Sequence, residues 1–218
     1  MYEHPLEAIN IASLLVVNKI VDIHEKPIFF IENTRTATPL TINYDKLWQP
    51  RTLYDLAIYV SHKIQNHNAK IKEGQKGKEI VAIAGPVNGY LALKVAEILG
   101  GEFEFLPEIH GGYKNIHLRE HEQVALIMDV VNTGNRMVES LYKLGNANIR
   151  CTDIFSAFHY GFFNYKLREQ NSKVTERPLV DTYDFQHHAS VREWVSSNPN
   201  LFHRDKIEQI DKSARIYN

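Results

Sequence analysis

The sequence predicts an α/β fold, a parallel sheet flanked by helices. Three segments predict it. Ile80 to Ala84 is a short apolar run that ends in the turn Gly85-Pro86-Val87-Asn88-Gly89 and passes into a helical pattern from Tyr90 to Leu99. Val124 to Asp129 repeats the plan: Ala125 to Met128 are apolar without interruption, the strand ends on an acid, and a Thr133-Gly134 turn leads into a helical stripe of Val138, Leu141 and Leu144. Asn148 to Phe155 reads as a further strand after a helix stop at Gly145. Continuous apolar strands alternating with amphipathic helices are the pattern of a parallel sheet covered on both faces, joined by right-handed crossovers.

The remaining elements fit around this unit. Pro5 to Ile20 has apolar residues at helical spacing, Ile28 to Ile31 is a β-favouring run after Pro27, and Arg51 to Gln65 is an amphipathic helix with Leu53, Leu56, Ala57, Val60 and Ile64 on its buried stripe. Lys70 to Lys78 is polar with two glycines and reads as a surface loop. Glu102 to Leu106 reads as a strand, and the polar Pro107–Gln123 stretch with its Gly111-Gly112 pair as a mobile loop. Phe155–Tyr165 is rich in Phe and Tyr and reads as a buried edge of the sheet or a dimer surface, with burial favoured. Val191 to Val195 reads as a helix capped by Ser190, and the alternating charge of Asn198–Asn218 as a surface helix. Residues 1–160 are expected to form one domain, with 161–218 an extension packed on it.

Composition narrows the function. A formal net charge of −1 gives no electrostatic footprint for nucleic acid or an anionic membrane. No apolar run approaches the roughly 20 residues that span a bilayer. The acidic residues Glu3 and Glu7 do not fit a secretory leader. The single cysteine, Cys151, excludes an internal disulfide framework and suits a reducing cytoplasm. The histidines are scattered without the spacing of a metal site.

The chemistry points to a phosphate. A strand–turn–helix with small polar residues at the turn presents free N–H groups and the positive end of the helix dipole to an anion. Both glycine-bearing turns, after Ala84 and after Asp129, fall at the carboxyl edge of the sheet, where ligands of such folds bind. Arg136 at the helix start could hold a phosphate bidentately. Asp129 stands where a carboxylate could accept sugar hydroxyls or hold a metal ion.

The stretch VALIMDVVNTGNR, Val124–Arg136, resembles the phosphoribosyl diphosphate (PRPP) motif of type I phosphoribosyltransferases: an apolar strand, two adjacent acids, two variable residues and a Thr-Gly loop. Asp129 matches the second acid and Thr133-Gly134 the loop. Met128 replaces the first acid, and Asn132 stands where some relatives carry a catalytic Asp. VAIAGPVNGYLALKVAEILG, Val81–Gly100, is similar to the diphosphate-loop segment of orotate phosphoribosyltransferases, and Lys26-Pro27-Ile28-Phe29-Phe30 to their base-contacting strand. His110-Gly111 is similar to the His-Gly pair of their active-site loop, although the loop lysine and the preceding Arg-Lys are missing. The similarity covers roughly residues 6–156.

The resemblance implies a type I phosphoribosyltransferase-like sheet with a small N-terminal hood, and transfer of phosphoribosyl from PRPP to a nucleobase, most similar to orotate. It implies His110, Asp129 and Asn132 at the reacting centre; Thr133, Gly134, Asn135 and Arg136 on the 5′-phosphate; Pro86, Val87, Asn88 and Gly89 on the diphosphate; and Lys26, Phe29 and Phe30 at the base. It also implies Mg²⁺ with Asp129 as its ligand, and a homodimer. The missing acid and lysines leave a second expectation: a PRPP- or nucleotide-binding regulatory protein of the same fold with impaired catalysis.

Overall fold

The computed structural model describes residues 5–27, 29–30, 37–160, 174–185 and 188–199. The helices are α1 (Pro5–Val17), α2 (Tyr44–Leu47), α3 (Pro50–Lys72), α4 (Tyr90–Leu99), α5 (Asn135–Asn146) and α6 (Ala189–Ser197). The strands are β1 (Val21–Ile23), β2 (Phe29–Phe30), β3 (Ala37–Thr38), β4 (Leu40–Ile42), β5 (Glu79–Gly85), β6 (Glu104–Pro107), β7 (Glu122–Val131), β8 (Cys151–His159) and β9 (Thr175–Asp181).

Five strands form one parallel sheet in the order β6-β5-β7-β8-β9. The two strands that carry the glycine turns, β5 and β7, are therefore neighbours. Before the sheet, β1 pairs antiparallel with β4, and β2 with β3. The Tyr160 hydroxyl donates to the Leu40 carbonyl at 3.3 Å and ties this N-terminal part to the end of β8.

Alternation along the strands divides the core into two layers. On one face Ile83, Ala125, Ile127 and Phe155 pack with Ile11 and Leu15 of α1, Leu56 and Val60 of α3, Leu91 and Val95 of α4, and Trp194 of α6. On the other face Ala82, Ala84, Val124, Leu126 and Met128 pack with Met137, Leu141 and Leu144 of α5. Asp129 follows Met128 by one residue and so takes the α4 side, opposite to Met128.

Several sequence expectations need correction. The helix expected over Arg51–Gln65 runs from Pro50 to Lys72, so the loop expected from Lys70 begins later. Asn68 explains the extension. Its side chain donates to the Ile80 carbonyl at 2.7 Å and accepts the Ile80 N–H at 2.9 Å, satisfying the backbone where the β5–β7 register shifts. Strand β7 does not end at Asp129 but continues to Val131. Gly145 does not stop α5. The helix ends at Asn146 and the left-handed turn falls on Asn148, at φ 57°, a conformation Asn tolerates. Ser190 does not cap α6; it lies inside the helix, which starts from His188 without a side-chain cap. The aromatic β8 is an inner strand rather than an edge.

The edge on that side is β9, which comes from beyond residue 160 and pairs with β8 from Asp153↔Thr175 to His159↔Asp181. The Arg177 Nε–Asp153 Oδ1 ion pair at 2.6 Å clamps the two strands, and Gln123 Nε2 donates to the other oxygen of the buried Asp153 at 2.7 Å. The surface helix expected in Asn198–Asn218 falls almost wholly outside the described residues.

Candidate active site

The carboxyl ends of β5 and β7 bring two helix starts side by side, and the two are finished differently. Helix α4 begins after Gly89 with no side-chain cap of its own. Asp129 supplies one from the neighbouring strand: its Oδ1 accepts the Leu91 N–H at 3.0 Å, and the Tyr90 N–H also faces the carboxylate. Its Oδ2 accepts the indole N–H of Trp48 at 3.0 Å. Burial holds the Asp129 carboxyl above its ordinary pKa, against the lowering effect of these donors. A carboxylate at a helix N-terminus is favourably placed against the dipole.

Among the described residues, helix α5 has no such partner. Its N-cap is Gly134, at φ 78°, with no side-chain hydrogen bond and no acid in the first turn. The first intrahelical bond runs from Val138 N–H to Gly134 carbonyl. Among the described residues, the N–H groups of Asn135, Arg136 and Met137 have no partner. Arg136 is exposed on this turn. Asn132 carries a buried Oδ1 that accepts no hydrogen bond among the described residues. Unmatched donors and the exposed Arg136 lie together at the turn expected from the sequence to meet a phosphate, whereas the buried Asn132 Oδ1, an acceptor, adds nothing to an anion site.

The Gly85–Gly89 turn packs tightly on α4. A Cβ at Gly85 would stand 2.5 Å from the Ala92 Cβ, and one at Gly89 3.0 Å from the Pro86 carbonyl oxygen. Asn88 adopts φ 62°, and the Gly89 N–H returns to the Pro86 carbonyl at 2.9 Å. Val87 and Asn88 are exposed, and their N–H groups take no protein partner among the described residues.

The other expected residues lie in differing surroundings. His110 is exposed in a tight turn closed by reciprocal Ile109–Gly112 backbone bonds of 2.8 and 3.1 Å, at φ 52° with Gly111 at φ 80°. It makes no side-chain hydrogen bond or ion pair among the described residues. The turn is anchored on both sides: before it Glu108 pairs with Lys143 of α5 at 2.6 Å, and after it the Tyr113 ring is buried. Lys26 is exposed in a bend, and Phe29 and Phe30 form β2, paired with Thr38 and Ala37. Met128, at the position of the first acid, is 3% exposed in the apolar layer beneath α5, where a carboxylate would lose its hydration.

Sequence reading missed Trp48, which reaches Asp129 across 81 positions, and its ring neighbours Tyr44 and Tyr90. Tyr44 and Trp48 stand four apart on one helical turn, but nothing in the spacing links them to Tyr90 or Asp129, which only the tertiary fold brings to them.

No group of three or more His, Cys, Asp or Glu side chains that could hold a metal ion occurs among the described residues. Asp129 is one carboxylate with both oxygens already engaged. No helix among the described residues is long and apolar enough to cross a membrane.

Neither a protein-family model nor a curated protein sequence matches the chain. Solved structures do. The orotate phosphoribosyltransferase of Francisella tularensis superposes with a TM-score of 0.60 over 94% of this chain and 93% of that one, at 16% identity. The chain has the type I phosphoribosyltransferase fold. The orotate phosphoribosyltransferase of Aeropyrum pernix is similar at TM-score 0.58 and 14% identity, covering 78% of this chain and 93% of that one. The adenine phosphoribosyltransferase of Leishmania donovani gives 0.54 and 15%, covering 80% of each chain. Within this phosphoribosyltransferase fold, the glycine-cornered α5 start and the acid-capped α4 start lie side by side at the carboxyl edge of the sheet.

Proposed function

We propose that the protein binds a 5-phosphoribosyl ligand at the β7–α5 turn and transfers phosphoribosyl from PRPP to a nucleobase, with orotate as the most similar acceptor. The observation that carries this reading is the uncapped start of α5. Among the described residues, three backbone N–H groups without a partner and the exposed Arg136 stand at this turn, a few residues beyond Asp129 near the end of β7, and such a donor set suits a phosphate. In this reading Thr133–Arg136 hold the 5′-phosphate, and Asp129 accepts ribose hydroxyls. The exposed N–H groups of Val87 and Asn88 receive the diphosphate, with Pro86 and Gly89 shaping that turn.

The reaction is attack of a base nitrogen on the anomeric carbon as the bond to the diphosphate breaks, through an oxocarbenium-like state. Magnesium, when carried in on the diphosphate, would neutralise charge on the leaving group. The protein's part is to orient the sugar and stabilise the departing oxygens. Asn132 and His110 are the polar side chains assigned to this step, with Lys26, Phe29 and Phe30 at the base.

A second reading has its own support. Met128 replaces an acid, Asn132 cannot act as a base, and both oxygens of Asp129 are engaged within the protein. These features favour a binding or regulatory protein that retains the phosphate site without turnover. Each charge-assisted contact missing from the leaving-group side removes about 1.5–3 kcal/mol, and two or three would lower the rate by several orders of magnitude.

Calorimetry with PRPP and Mg²⁺, followed by diphosphate release with a panel of nucleobases, tests both. Binding with turnover is the expected result, and binding without turnover selects the second reading. Absence of binding of PRPP, and of nucleoside 5′-monophosphates titrated alongside it, overturns both.

A further inference from the structure

Three large aromatic side chains stand together at the surface beside Asp129. Tyr44 and Trp48, at either end of the short α2 turn, have ring centroids 5.2 Å apart; Trp48 and Tyr90, the first residue of α4, are 5.5 Å apart in an edge arrangement. All three remain 40–46% exposed. Burying rings of this size would stabilise the fold, so their clustering in the open marks a contact surface. The cluster is also joined to the acid, because the Trp48 indole N–H donates to Asp129 Oδ2 at 3.0 Å.

We propose that Tyr44, Trp48 and Tyr90 form a stacking surface for the planar ring of a nucleotide, and that the Trp48 N–H occupies on Asp129 the place of a ribose hydroxyl. The proposal rests on the 5-phosphoribosyl reading above and adds to it a ring-binding surface outside the Lys26–Phe30 segment. The chemistry is an exchange. A ribose O–H donates to Asp129 Oδ2 as the indole N–H leaves it, so one hydrogen bond replaces another. Asp129 Oδ1 remains on Leu91 throughout, and α4 keeps its cap. The released indole stays within reach of Tyr44 and Tyr90, and a base attached to the bound sugar gains an aromatic face.

Two consequences distinguish stacking from competition. Loss of the indole N–H with the ring retained, in Trp48→Phe, removes the competing donor and should tighten binding of a sugar phosphate. Loss of the whole ring, in Trp48→Ala, removes the stacking face, for which roughly tenfold in affinity is the expected scale. The other tryptophan, Trp194, is 2% exposed in the core, so a ligand-dependent change in fluorescence reports chiefly on Trp48.

The test titrates the full chain and both variants with uridine 5′-monophosphate and with ribose 5-phosphate, by calorimetry and tryptophan fluorescence. Wild-type fluorescence should fall with the nucleotide. Trp48→Phe should bind ribose 5-phosphate a few-fold more tightly. Trp48→Ala, which also lacks the competing N–H, should bind ribose 5-phosphate as tightly as Trp48→Phe and bind the nucleotide about tenfold more weakly than that variant. If wild type binds both ligands but its fluorescence is unmoved, or if Trp48→Ala changes both affinities equally or neither, the proposal is overturned while the phosphate site stands. If wild type binds neither ligand, the phosphoribosyl reading itself fails and this proposal falls with it. Should Trp48→Ala fail to fold, wild-type fluorescence and Trp48→Phe decide the outcome alone.

Discussion

Asp129 and Leu91 are 38 positions apart in the chain and joined by one hydrogen bond of 3.0 Å, so the end of β7 caps the helix that follows β5. The acid assigned to the ligand is therefore also a structural part of the neighbouring loop. Asp129→Ala should cost about 1–2 kcal/mol, the usual scale for losing a helix cap. That corresponds to a fall of roughly 2–8 °C in melting temperature for a chain of this size. Asp129→Asn, which keeps one acceptor oxygen, should recover part of the loss. Thermal and denaturant unfolding of the two variants measures the difference; an unchanged melting temperature in Asp129→Ala would show that the cap carries no stability.

The same carboxyl gives a pH dependence of definite sign. Its folded pKa lies above its unfolded value, chiefly because burial disfavours the charge. The folded state therefore holds the proton more tightly. The contribution of Asp129 to stability is greatest at low pH and declines as pH rises from about 4 through the raised folded value. Relative to Asp129→Asn, which cannot titrate, wild type should lose stability across that window and level off above it. Denaturation of both proteins from pH 3.5 to 7 reads this directly; a difference that grows in favour of wild type with rising pH would contradict it.

Arg136 is exposed at the start of α5 and contributes nothing visible to the core. Arg136→Ala should leave the melting temperature within about 1 °C, as surface substitutions do. Affinity for ribose 5-phosphate should fall by roughly ten- to a hundredfold, the scale of one charge-assisted contact. Calorimetry in low and moderate salt should also show a shallower salt dependence in the variant. Equal affinity in both proteins would remove Arg136 from the phosphate site.

Gly85 closes the β5–α4 corner against Ala92, with 2.5 Å available where a Cβ would stand. Gly85→Ala should destabilise by about 1–3 kcal/mol through overpacking. Ala92→Gly in the same chain should restore part of it by vacating the contested space, despite the helix cost of glycine. A double variant no more stable than Gly85→Ala alone would show that the strain lies in the backbone and not in the Gly85–Ala92 contact.

The central unit was legible because its signals are local. Apolar runs placed β5 and β7, alternation of strand and helix gave the parallel sheet, and Tyr90–Leu99 reads as a helix to the residue. What escaped reading depends on distant partners. β9 contains Pro178, which argues against a central strand, but β9 lies at the sheet edge, where a missing N–H is tolerated. Gly145 looked like a helix stop, yet the last turn of α5 could continue because Asn148 supplies the left-handed residue. The candidate site was proposed from a pattern of residue types, and the fold sets its two turns side by side. That Asp129 is shared between Leu91 and Trp48 could not be read, since neither contact has a counterpart in spacing along the chain.

The position of β9 bears on how the chain acquires its structure during synthesis. Strand β8 has its aromatic residues Phe155 and Phe158 at 0% and 1% exposure, and among the described residues its outer backbone groups are paired by residues 175–181. A nascent polypeptide that has emerged as far as His159 presents an open hydrophobic ribbon, the kind of surface that invites association with other chains. Vectorial folding of this molecule must therefore wait for a late segment before its central layer is sealed. A ribosome-stalled chain ending before Thr175 should be retained by chaperones and cleaved readily by protease, and one extended past Asp181 with enough linker to clear the exit tunnel should resist.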